Sequence, residues 1–157
     1  MGVDIGIPDD SRTRVIDILN TLLADEFLLY TKTRNYHWNV TGPQFNDLHK
    51  FFETQYEALD EVIDEVAERV RALGGRAFGT LEEFRANARL GEKAGPVPTA
   101  RDMLASLLGD HEALIRALRS DVDTVTDRHR DVGTADFLTG LLEQHEKSAW
   151  MLRSFLA

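Results

Sequence analysis

The chain has 157 residues, 43% of them hydrophobic, which suits one domain with one sizeable core. Its 27 Asp and Glu against 18 Lys and Arg leave a net charge of -9, so its surface repels phosphate backbones and attracts cations. With no cysteine, it excludes disulfides, zinc–thiolate sites and iron–sulfur clusters, as suits a reducing compartment.

The first residues, MGVDIGIPDDSRTR, lack a basic region followed by an apolar stretch, so they do not read as a signal peptide. No apolar run approaches the ~18 residues of a membrane span. A soluble cytoplasmic protein with no membrane partner is the expectation. Residues 1–157 read as a single domain, with residues 1–10 as a short N-terminal extension.

Proline and glycine punctuate four long stretches. The first helix is expected from Asp10-Ser11, either of which can cap it, to about Trp38. Val15, Leu19, Leu22, Leu29 and Thr33 form its stripe. The Gly42-Pro43 turn follows. A second helix is expected from about Pro43 to Leu73, with Gly74-Gly75 as its stop and Leu48, Phe52, Leu59, Val66 and Val70 as its apolar face. The stretch from Gly75 to Pro98 is long for a bundle connection, and Thr80-Leu81-Glu82-Glu83-Phe84 reads as the start of a short extra helix within it. A third long helix starts after Thr99, with Asp102 three residues on, and a fourth starts at Thr134. No strand pattern is present. Four long helices with one long crossover describe an all-α four-helix bundle.

The second helix carries two pairs of metal-competent side chains. His49 and Glu53 are spaced i,i+4, and so are Asp64 and Glu68. Glu53 precedes Asp64 by 11 residues, about three turns, so all four share nearly one face. His37 lies 12 positions before His49, across the turn that folds it back. The midpoints of the pairs are 15 residues apart, or ~22 Å along the helix. An ion with ligands at roughly 2–2.5 Å cannot bridge that gap within one chain. It can if two copies of this helix pack antiparallel about a two-fold axis near residues 58 and 59. The His49/Glu53 pair of one copy then meets the Asp64/Glu68 pair of the other, and each dimer gains two equivalent sites. Two imidazoles with three carboxylates suit Fe(II), Mn(II) or Zn(II), and carboxylates stabilise Fe(III) as it forms. The Glu-x-x-His pairs of an intra-bundle di-iron site are missing: none of His111, His129 and His145 has a Glu three residues earlier.

The run Tyr36-His37-Trp38, Gly42, Phe45, Leu48-His49, Phe52-Glu53, Asp64-Glu65-Val66-Ala67-Glu68-Arg69, Leu73-Gly74-Gly75 resembles the Dps family, the ferritin-like miniferritins also called DNA-binding proteins from starved cells. The resemblance continues through Asp110-His111-Glu112, Thr134-Ala135-Asp136 and His145-Glu146-Lys147 with Trp150-Met151-Leu152-Arg153-Ser154, covering nearly all the chain beyond its first ten residues. It implies a ferritin-like fold, a hollow dodecamer, and a ferroxidase that oxidises Fe(II), preferably with hydrogen peroxide, and stores ferric mineral without an organic cofactor. It assigns His37, His49 and Glu53 of one subunit, with Asp64 and Glu68 of its two-fold mate, as metal ligands and catalytic residues. Glu53 stands where the family often has Asp. The family's acidic iron-entry pores make Asp127, Asp131 and Asp136 the matching residues here. Glu57 and Glu61 are expected to help nucleate mineral.

The remaining residues carry plainer readings. Trp38 is read as packing, with a redox role beside it as the alternative. Trp150 and Met151 are read as core or interface, His111 and His145 as structural hydrogen-bonders, and His129 as exposed. A nucleoid-compacting role is the competing function. The first lysine is Lys32, and Asp4, Asp9 and Asp10 precede it, so weak or no DNA binding is expected at neutral pH.

Overall fold

The computed structural model describes residues 2–157; Met1, the first residue of the expected extension, lies outside it. Five helices are present among the described residues: α1 (Asp9–Asn39), α2 (Phe45–Ala72), α3 (Leu81–Asn87), α4 (Ala100–Asp127) and α5 (Val132–Leu156). None is long and apolar enough to cross a membrane.

The helix ends follow local chemistry. α1 begins at Asp9, ahead of the expected Asp10-Ser11 cap. Pro8 leads in with φ -56, no side chain caps the helix, and Asp9 and Asp10 place negative charge against the first turn. α2 begins at Phe45 because Gly42-Pro43 is used up as a turn, with Gly42 at φ 116 and Phe45 N–H donating to the Gly42 carbonyl at 3.0 Å. Its end is a Schellman motif. Gly75 N–H donates to the Val70 carbonyl, Gly74 N–H donates to that of Arg71, and Gly74 sits at φ 85. Thr80 and Glu83 form a capping box on α3, and Thr99 caps α4 through Asp102 N–H. α5 starts two residues before the expected Thr134, because Asp131 is its N-cap.

The architecture is the expected four-helix bundle, built as two antiparallel hairpins, α1–α2 and α4–α5. The crossover between them carries α3 and packs it on α1, where Phe84 stacks on Phe27 at 4.3 Å. The expected stripes are inside: Val15, Leu19, Leu22, Leu29 and Thr33 from α1, and Leu48, Phe52, Leu59, Val66 and Val70 from α2. Each such leucine or phenylalanine contributes ~1.5–3 kcal/mol by leaving water. Trp150 does not join this core; it is 59% exposed.

Polar bonds tie the hairpins and crossover together. Asp25, fully buried, accepts hydrogen bonds from Arg89 N–H, Arg89 Nε and Leu90 N–H, which pins the crossover. Lys32 pairs with Asp110 at 2.6 Å across the hairpins. Arg69 of α2 reaches Thr134 of α5 at 2.9 Å and Asp131 at 3.4 Å.

Candidate metal centre

His37 is the last-turn histidine of α1, and His49 lies in the first turns of α2. The Gly42-Pro43 turn folds one over the other, so their rings stack with centroids 3.9 Å apart. Each Nδ1 faces the other residue's backbone carbonyl, His37 Nδ1 to His49 O at 2.7 Å and His49 Nδ1 to His37 O at 2.8 Å. A carbonyl only accepts, so each Nδ1 carries the hydrogen and donates it. In the neutral rings both Nε2 lone pairs are therefore left unused by the chain. A bond from Nδ1–H to a backbone carbonyl fixes the tautomer and ring plane that a metal ligand requires.

The rest of the site is graded from buried to open. His37 is 7% exposed, His49 and Glu53 are half-buried, and Asp64 and Glu68 are exposed on α2. Among the described residues of one chain, no three His, Asp or Glu side chains converge to hold an ion. His37 and His49 come together, with Glu53 one turn beyond on the same helix face. Asp64 and Glu68 remain farther along α2, as helix rise requires.

An aromatic wall flanks the histidines. Phe45, 46% exposed, stacks on His49 at 5.1 Å, and Tyr56 meets His37 edge-on at 5.2 Å. The Arg34 guanidinium lies over the Tyr56 ring at 4.7 Å, over Trp38 at 5.4 Å, and donates to the Tyr30 hydroxyl. Desolvation first, then the neighbouring Glu53, holds the Tyr56 phenol above its usual range, so it stays protonated. Trp38 is 64% exposed on the single chain. This Tyr30/Arg34/Trp38 stripe at i,i+4 spacing, meeting Tyr56 of α2, went unread in the sequence.

The three carboxylates assigned to a pore separate on inspection. Asp127 and Asp136 are exposed. Asp131 is 3% exposed and spent on capping α5: its Oδ1 accepts from Thr134 N–H at 3.0 Å and its Oδ2 from the Thr134 hydroxyl at 2.5 Å. That geometry corrects its reading as a pore carboxylate. Glu57 and Glu61 are exposed on α2.

His111 and His145 are structural hydrogen-bonders, as read, and they bond to each other. Their Nδ1 atoms are 2.9 Å apart, and His145 Nε2 lies 2.8 Å from Glu26 Oε1. The partner that sequence reasoning missed is Glu26, which with Asp25 interrupts the otherwise apolar stretch Leu22–Leu29.

A model of the ferritin-like domain matches residues 16–157. The chain is 55% identical to an uncharacterised low temperature-induced protein of Nostoc sp., over 98% of this chain and 86% of that one. It is 38% identical to the DNA protection during starvation protein 2 of Bacillus anthracis, over 91% of this chain and 97% of that one. Among solved structures, it superposes on a Dps protein from Vibrio cholerae, described as one of the ferritin-like diiron-carboxylate proteins. There the TM-score is 0.92 at 28% identity, covering 100% of this chain and 98% of the other.

Proposed function

The chain belongs to the Dps family of ferritin-like proteins, and from that premise we propose that it is a ferroxidase that oxidises ferrous iron at sites shared by two subunits and stores the ferric product. The observation that carries this reading is the reciprocal His37/His49 pair, which commits both Nδ1 atoms to carbonyls and leaves both Nε2 atoms free.

His37, His49 and Glu53 bind from one subunit, and Asp64 and Glu68 from its two-fold mate, with the two α2 helices antiparallel. Nitrogen donors hold Fe(II), and oxygen donors stabilise the Fe(III) that forms. Hydrogen peroxide is the preferred oxidant and dioxygen the slower one. Each peroxide takes two electrons, so it consumes two ferrous ions, and hydrolysis of the ferric product releases protons. Removing Fe(II) and peroxide together suppresses hydroxyl-radical chemistry. The assembly is a hollow dodecamer in the cytoplasm, with Glu57 and Glu61 offered to the mineral and Asp127 and Asp136 as the remaining pore carboxylates.

DNA compaction is the weaker reading. The net charge of -9 repels phosphate, and Arg12, a basic residue of the first turn of α1, is engaged with the Val3 carbonyl at 2.8 Å and with Asp9.

The test is anaerobic Fe(II) loading followed by a peroxide pulse, read at ferric absorbance, with the His49→Ala/Asp64→Ala double variant alongside. Fast oxidation by the unaltered protein and slow oxidation by the variant are expected. Equal rates would remove the catalytic assignment.

A further inference from the structure

Three ionisable side chains from three helices meet in the bundle core, remote from the metal centre. Glu26 of α1 is 0% exposed, His111 of α4 2% and His145 of α5 3%. Glu26 lies 11 residues before His37, ~16 Å along α1. The donor atoms run in line rather than toward one point: His145 spends Nδ1 on His111 and Nε2 on Glu26, from opposite sides of its ring. Donor atoms set in line like this do not converge on one ion. Glu26 Oε2 has no hydrogen-bond partner at all.

The chain also spans the seam between the hairpins, since Glu26 belongs to α1–α2 and both histidines to α4–α5. We infer that Glu26, His145 and His111 form an acid-triggered latch between the two hairpins, one that accepts a first added proton and opens on the second.

Hydrogen counting gives the mechanism. With Glu26 ionised and both imidazoles neutral, His111 Nδ1–H donates to His145 Nδ1, and His145 Nε2–H donates to Glu26. A first proton is absorbed without losing either contact. The central imidazole then donates on both sides, and His111 moves its own hydrogen to Nε2. A second proton has two places to go, and each breaks the latch. It puts hydrogens on both facing Nδ1 atoms, 2.9 Å apart, or it discharges Glu26 and leaves a dry imidazolium without a counter-charge.

The neighbouring charges offer no relief, because each is turned to another partner. Asp25 of α1 faces Arg89, Asp110 of α4 faces Lys32, Glu112 of α4 faces Arg153, and Glu146 of α5 faces Arg119. No ion pair or hydrogen bond joins α2 to the chain of three among the described residues. Burial, and then the neighbouring His145, hold His111 down at about 3, well below the ordinary imidazole range.

The test follows the assembled protein from neutral to acid pH by near-ultraviolet circular dichroism and by small-angle scattering. His111→Asn, which keeps a hydrogen-bonding group and cannot take the proton, is measured alongside. The latch predicts a steep acid transition in the unaltered protein and a shallower one in the variant, the slopes differing by about one proton per subunit. Hydrogen exchange at the imidazole C2 carbon, read by mass spectrometry on the unaltered protein, needs no variant. It is expected to show His111 unprotonated until the tertiary signal collapses. Equal slopes, or His111 titrating near 6.5 with the tertiary signal intact, would overturn the inference.

Discussion

The molecule contains two contacting histidine pairs with opposite chemistry. His37 and His49 stack near the surface with both Nδ1 atoms satisfied by carbonyls, and their Nε2 atoms are available to a ligand. His111 and His145 lie in the core and bond through Nδ1 to each other, with the next nitrogen of His145 spent on Glu26. The residue type is the same. What differs is burial and the partners each ring is given: backbone carbonyls beside the surface for one pair, a second imidazole and a buried carboxylate for the other. In the proposed assembly the surface pair takes oxygen donors from another copy, whereas the core pair finds its carboxylate, Glu26, within one subunit.

Altering either region separates stability from activity. The largest effect is expected at the core. Glu26→Ala leaves the His145 Nε2–H without an acceptor in a dry space, and an unsatisfied buried donor costs about 1–3 kcal/mol, to which the emptied side-chain volume adds. Chemical denaturation should report that loss, while the rate of iron oxidation per folded subunit stays unchanged. The surface region should behave the other way round. Asp64 is exposed, so Asp64→Ala should change stability by less than ~0.5 kcal/mol. The rate of ferric absorbance growth in stopped flow should nevertheless fall by at least the roughly 10–100-fold that losing even a residue bonded to a metal ligand costs.

Acid should also distinguish the two pairs. His111 has a folded-state value of about 3, below its unfolded value near 6.5, so the folded state binds fewer protons. The stability it supports is fully present above about 6.5 and is lost as pH falls toward about 3, by ~1.4 kcal/mol per pH unit. Denaturation midpoints collected at several pH values, with His111→Asn beside them, would isolate that slope. The smallest expected effect lies outside both regions. Thr80→Ala removes the α3 capping box and should cost ~1 kcal/mol, with iron oxidation untouched.

The sequence carried the helices well, because their breakers and stripes are local signals. Gly74-Gly75 announced the Schellman stop, and Thr80 and Thr99 announced their caps. The i,i+4 pairs on α2 were equally legible, since helix periodicity alone places Glu53 and Asp64 on one face. Less visible was the reciprocal bonding of His37 and His49. It depends on where two backbone carbonyls land after the Gly42-Pro43 turn, a matter of three-dimensional closure. The bond from His145 to Glu26 spans 119 residues, and only the Asp25-Glu26 pair within an otherwise apolar stretch hinted at it. Asp131 was misread for a different reason. Its spacing from Thr134 is an N-cap signature, but its position among other acids suggested a charged ring instead.

The central claim is that one site draws on two chains, and subunit mixing tests it most directly. His49→Ala and Asp64→Ala subunits, each slow alone, are dissociated, mixed in equal amounts and reassembled. Half of the random two-fold pairs contain one of each, and one of their two sites then has every ligand intact. The account predicts recovery of about a quarter of the full rate of iron oxidation. A mixture no faster than either variant alone would contradict it.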